Sequence, residues 1–173
     1  MIPIRDYVPT RRFPLITVVL MLANVAVFVY QIVLQFGGRL EPFVFQYGLV
    51  PYDITHNLNG EELFTFISSM FMHGGLLHIL SNLLYLYIFG NNVEDEMGRL
   101  RFIVFYFLAG IIASLAQIIA TPNAQVPGIG ASGAIAGVLG GYLVLHPRAR
   151  VSTLVPLFIF ITFIDLPAVL VLG

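Results

Sequence analysis

Residues 13–36 form a run of 24 residues without one charged side chain. A run of that length reads as a membrane crossing, because about 20 apolar residues at helical rise cover a hydrocarbon core about 30 Å thick. Four more apolar stretches follow: 75–89, 102–120, 132–145 and 151–173. The whole chain fits this reading, since 58% of its 173 residues are hydrophobic and 10% charged. A soluble chain of this size could not hide that much apolar surface, whereas a bilayer removes the need to hide it. The fold class expected is all-α, a polytopic bundle of about five transmembrane spans. Residues 1–12 read as a cytoplasmic N-terminal segment and 13–173 as one transmembrane domain. With no small-residue cleavage site behind it, the first apolar run reads as a retained span and not as a signal peptide.

Charge and cysteine usage narrow the function. There is no cysteine, which rules out disulfides and thiolate metal sites. Net charge is −1 and every basic residue is Arg, so no polybasic face for nucleic acid exists. If the helices alternate in direction, Arg5, Arg11, Arg12, Arg99, Arg101, Arg148 and Arg150 share one side, and Arg39 alone takes the other. The positive-inside bias then puts the N-terminus in the cytoplasm and turns 37–62 and 121–130 outward. The stretch 63–72 is apolar but too short to cross, and suits an interfacial or re-entrant helix at the outer face.

Polar groups at membrane depth are costly, so each needs an account. Gly130-Ala131-Ser132-Gly133 stands where an uncharged loop becomes the fourth helix. Ser132 could merely cap that helix. Yet the helix is roughly 14–16 residues long, or about 21–24 Å, and Arg148 and Arg150 hold its far end at the cytoplasmic surface. Ser132 is then expected below the outer surface, at a helix N-terminus whose free N–H groups favour an oxyanion. Gly133, Gly137 and Gly141 share one helix face, the small-residue spacing that lets helices pack backbone to backbone. A second cluster holds His73, His78 and Asn82. His78 and Asn82, four residues apart, share a helix face near its outer end. The three could satisfy one another, or His78 and Asn82 could be donors facing the hollow that Ser132 lines. A metal site is set aside, since no carboxylate or further histidine joins them. The third cluster, Glu94-Asp95-Glu96-Met97-Gly98-Arg99, reads as a solvated turn that Glu94 helps to order. Asp165, just before Leu166-Pro167, could be opened to water or a partner by a helix kink.

These residues together resemble the rhomboid intramembrane proteases. His73-x4-His78-x3-Asn82, followed by Gly130-x-Ser132-Gly133, is similar to the family pattern, as are the Glu94-x3-Gly98 turn and the Arg148-Ala-Arg150 end of the fourth helix. The resemblance implies a six-helix fold and a Ser–His dyad that hydrolyses peptide bonds in or near transmembrane segments of other proteins. It implies Ser132 as nucleophile; His78, Asn82 and the Ser132 backbone N–H as oxyanion hole; and His73, Gly130 and Gly133 as supporting residues. It implies water entry from the outer face, transmembrane protein substrates in the bilayer, and no cofactor or metal. Phe64-Thr65 stands where many rhomboids carry Trp-Arg in the first outer loop. The family's base is a histidine on the sixth helix, which is expected beyond Gly173. His146 lies fourteen residues, or about 21 Å, along the helix from Ser132, too far for a base that must come within about 3 Å of its proton. His56, in a loop, has nothing to recommend it. Two other readings compete: a catalytically inactive rhomboid-like protein that binds transmembrane clients, and a small transporter, which the lack of a repeat and of mid-span charge disfavours. The expected location is a membrane, in a minimal bacterial form the inner one.

Overall fold

The computed structural model describes residues 1–157 and 160–172. Helix α1 (Leu15–Phe36) buries Thr17, Leu20, Asn24, Gln31 and Leu34, a single stripe at helical spacing. Its opposite side exposes Leu22, Val29 and Val33, as lipid contact demands. Three short helices follow in the segment read as an outer loop: α2 (Leu40–Tyr47), α3 (Pro51–His56) and α4 (Gly60–Ser68). The Asn59 side chain accepts from the Glu62 N–H at 3.0 Å and caps α4. This layer is tied to the 121–130 loop. Leu49 and Gly128 exchange backbone hydrogen bonds of 3.1 and 2.8 Å, and the Tyr52 N–H donates to Ala124 O at 3.0 Å.

A tight turn extends α4 to Phe71. After a break at residues 72–75, α5 (Leu76–Tyr85) runs through one wide turn into α6 (Asn91–Met97). The rod Leu76–Met97 bends 81° from Gly60–Phe71, as a broken span or a re-entrant segment would. Gly98, with φ of 80°, turns the chain into α7 (Arg99–Ala120), and α8 (Ser132–Leu145) completes the bundle. By length and composition α1 and α7 can each cross a bilayer, and the bent pair adds a third crossing if it counts as one span. The polytopic helical bundle is therefore as expected.

Helix α8 packs along α7 through its glycine face. A Cβ on Gly133 would lie 2.7 Å from Ala113 Cβ, one on Gly137 would strike Ala109, and one on Gly141 would lie 3.2 Å from the Phe105 ring. The partners 105, 109 and 113 repeat the spacing of the glycines, so two smooth faces meet in register.

Apart from Arg39, which precedes α2, the arginines gather at the opposite end from the outer layer. The Arg11 N–H donates to Asp95 at 2.8 Å, Arg12 and Arg99 line one cavity, and β1 (Ile2–Asp6) carries Arg5 beside the strand that opens with Arg150. Here the structure corrects two expectations. The 94–99 segment is not a solvated turn. Glu94 is buried within α6, and its carboxylate accepts from the N–H of Ile16 at 3.0 Å and from the N–H and hydroxyl of Thr17 at 2.8 Å each. It caps α1 from another helix, where the N-cap Pro14 has no side chain to offer.

The last apolar stretch is not a fifth helix. It forms β2 (Arg150–Leu157) and β3 (Phe160–Pro167), antiparallel to each other, with β1 on the far side of β2, and only α9 (Ala168–Leu172) is helical. Residues 158–159 and Gly173 of that stretch lie outside the described residues. Composition gives the physical reason. Val151, Thr153, Val155, Thr162 and Ile164 are β-branched, and Pro156 would interrupt any helix there. Asp165 is accordingly not at a helix kink: it lies in β3 and accepts from the Tyr7 hydroxyl at 3.0 Å. An open sheet edge is not tolerated in hydrocarbon, so this sheet belongs at the Arg-bearing surface.

Removing the cross-helix cap should be costly. Glu94→Ala strands two backbone N–H groups and a hydroxyl, each worth about 1–3 kcal/mol when buried. A loss of about 3 kcal/mol or more is expected in unfolding titrations in bicelles, against less than about 0.5 kcal/mol for the exposed Glu96→Ala.

Candidate active site

Three segments converge at the outer end of the bundle: the 72–75 break, the first two turns of α5, and the loop that enters α8. The break exists because its amides are served from outside the helix. The Met72 N–H donates to Ser69 O at 3.3 Å, the His73 N–H to Gln31 Oε1 at 2.9 Å, and the Gly74 N–H to His78 Nδ1 at 3.4 Å. His78 is the third residue of α5 and reaches back over the helix start, much as a capping-box side chain does. With Nδ1 accepting, a neutral His78 carries its proton on Nε2. That nitrogen faces Gly130.

Gly130 is the pivot. Its φ of 131° suits glycine alone, and its N–H donates to Ser69 O at 2.9 Å. A Cβ there would lie 2.7 Å from His78 Nε2 and 3.7 Å from Ser132 Oγ. The imidazole edge thus packs directly against Gly130, where any side chain would clash with it, and the serine hydroxyl lies close to the same position.

Ser132 is the first residue of α8, and the cap position belongs to Ala131, which makes no side-chain bond. The capping role open to Ser132 is therefore not the one it plays. Its hydroxyl has no hydrogen-bond partner among the described residues and opens on a cavity of about 160 Å³. The first-turn amides of α8, that of Ser132 included, have no carbonyl partner within the helix. Gly133 lies against Ala113 and fixes the start of α8 on α7.

Asn82 lies one turn beyond His78 on α5. It is buried, and its Nδ2 has no partner among the described residues. His73 is also buried. Its Nδ1 donates to Phe71 O at 3.3 Å, and its ring stands edge-on to His78 at 5.0 Å. The structure therefore brings His78 and Ser132 each close to Gly130, leaves Asn82 one turn along α5 and puts the His73 ring beside His78; neither His78 nor Asn82 is among the residues lining the cavity on which Ser132 opens. His146 terminates the other end of α8. His56 stacks on Tyr52 in α3, with Nδ1 within 3.0 Å of Tyr52 O. Sequence reasoning missed Gln31. The available signal was the seven-residue spacing Thr17, Asn24, Gln31 in an otherwise apolar helix.

Residues 60–173 match the sequence model of the rhomboid domain. The chain belongs to the rhomboid family. Among similar rhomboids, Rhomboid-related protein 2 of Mus musculus is 34% identical over 131 residues, which cover 75% of this chain and 42% of the relative. The putative rhomboid protease YdcA of Bacillus subtilis is 34% identical over 82 residues, 47% of this chain and 41% of the relative. Inactive RHOMBOID-like protein 8 of Arabidopsis thaliana is 35% identical over 82 residues, 47% of this chain and 23% of the relative. The matched regions span less than half the length of these curated rhomboids, which include both protease-named and inactive members. Family and apolar helices make this rhomboid an integral membrane protein.

The pivot glycine gives a direct test. Gly130→Ala adds backbone strain of about 1–3 kcal/mol and pushes the His78 ring away, so lower thermal stability and a shifted His78 resonance are expected. Gly60→Ala, whose Cβ would meet nothing within 4 Å, should leave both within error.

Proposed function

We propose that this rhomboid is an intramembrane serine protease, cleaving peptide bonds in or near transmembrane segments of other membrane proteins. The observation that carries the reading is the meeting at Gly130, where His78 Nε2 packs against the glycine and an unengaged Ser132 hydroxyl opens on the adjoining cavity. Ser132 Oγ attacks the scissile carbonyl carbon. The oxyanion that forms is held by the Ser132 N–H, by His78 Nε2–H and by the unpartnered Asn82 Nδ2. His73, Gly130 and Gly133 support the hollow. Collapse of the tetrahedral intermediate releases the amine and leaves an acyl-Ser132 ester, which water hydrolyses.

The general base, which takes the Ser132 proton and returns it to the leaving amine, is a histidine other than the four here. His78 is committed as a donor, His73 is buried beside it with Nδ1 on Phe71 O, His146 is at the far end of α8, and His56 is held in α3. Ser132 sits below the outer membrane surface, and water reaches it from that side. The N-terminus is cytoplasmic, because seven of the eight arginines share its side, and a bacterial inner membrane is the proposed location. Inactive members among the relatives make a non-catalytic client-binding rhomboid the competing reading.

A fluorophosphonate probe separates the two. The 173-residue chain alone is expected to label weakly or not at all. With the histidine-bearing helix supplied, labelling should appear and vanish in Ser132→Ala. His78→Ala or Asn82→Ala should then lower cleavage of a transmembrane reporter by about 10²-fold or more. Absence of Ser132-dependent labelling with that helix present would favour the client-binding protein, and strong labelling of the chain alone would place the base within it.

A further inference from the structure

Gln31 lies on α1, some forty residues upstream of the site, and the proposed chemistry does not use it. It is 3% exposed, near the outer end of an apolar helix. Burying an amide side chain there is costly without a partner. The partner is the backbone N–H of His73, which donates to Gln31 Oε1 at 2.9 Å.

The consequence runs through the break. Residue 73 is in neither helix, so its N–H has no carbonyl four residues back to receive it. Gln31 is what receives it. The next amide, that of Gly74, donates to His78 Nδ1, and this sets the proton of His78 on Nε2, facing Gly130 and Ser132. The His73 and Gly74 N–H groups lie in successive peptide planes hinged at the His73 Cα, so an orphaned His73 N–H that turned to find another acceptor would, unless ψ of residue 73 compensated, swing the Gly74 N–H off His78 Nδ1. His78 would then be free to hold its proton on Nδ1 and present a lone pair to the hollow.

We propose that Gln31 is a positioning residue: through the His73 and Gly74 amides it holds His78 in the tautomer that donates into the site. Its purpose as a control on the oxyanion hole rests on the proteolytic reading above, while the coupling itself does not.

The tautomer can be read by nitrogen NMR on the chain labelled with ¹⁵N-histidine in bicelles. The unaltered protein should show His78 as one neutral species protonated at Nε2. Gln31→Met, which keeps the volume and removes the acceptor, should add a second species protonated at Nδ1. Gln31→Glu, which keeps an acceptor oxygen, should restore the single species; a purely packing role would predict the reverse order for Met and Glu. An unchanged His78 signal in a folded Gln31→Met protein would overturn the proposal. If Gln31→Met does not fold, the unaltered protein still decides: fast exchange of the His73 amide, or an Nδ1–H His78, refutes it, and a slow amide with Nε2–H supports it. No step of this needs proteolysis. Failure of Ser132 labelling would therefore sink the protease reading and leave the Gln31 coupling standing.

Discussion

A bilayer offers no water to a stray amide, so wherever this chain leaves regular helix it must find hydrogen-bond partners within itself. The polar stripe of α1 answers much of that demand. At one end, Thr17 and its neighbour Ile16 meet the Glu94 carboxylate. Near the other, Gln31 takes the amide of His73. Between them Asn24, fully buried, donates to Leu20 O at 2.7 Å. The first helix thus works as a strut, with polar fixings set along an apolar rod.

The second pillar is the approach of α8 to α7. Glycines at 133 and 137 let α8 lie against Ala113 and Ala109, and Gly141 makes room for the Phe105 ring. Dispersion contact at that range replaces the hydrophobic drive that lipid cannot supply. It also leaves the opening residue of α8 little room to shift. The donor side is built separately, from the break and the start of α5. Gly130 is where the two halves touch, and its missing side chain is what lets the His78 ring come so near.

Much of this was legible in the sequence. The glycine spacing gave the packing face of α8, the hydropathy gave α1 and α7, and His78, Asn82 and Ser132 stand out as candidates because polar groups in apolar surroundings need an explanation. The misreadings have physical causes. Glu94 sits among Asp95, Glu96 and Arg99, so its run reads as solvated; nothing local says that it turns inward to a helix end 77 residues earlier. Gln31 was passed over because its partner is a backbone amide, which carries no residue-type signal. The segment after Arg150 has the hydropathy of a span, but its β-branched residues and Pro156 favour strands, and hydropathy does not register that preference.

The Glu94 cap has a consequence for how the protein is made. A ribosome delivers α1 to the membrane long before residue 94 exists. Until then the leading amides of that helix are open to whatever the headgroup region provides. The first crossing is therefore finished only when the second has passed through and brought its carboxylate back to the starting side. Insertion in the wrong orientation would leave that helix start bare, so the same three contacts that hold the mature bundle also discriminate, during biogenesis, between a correctly threaded chain and a mis-threaded one.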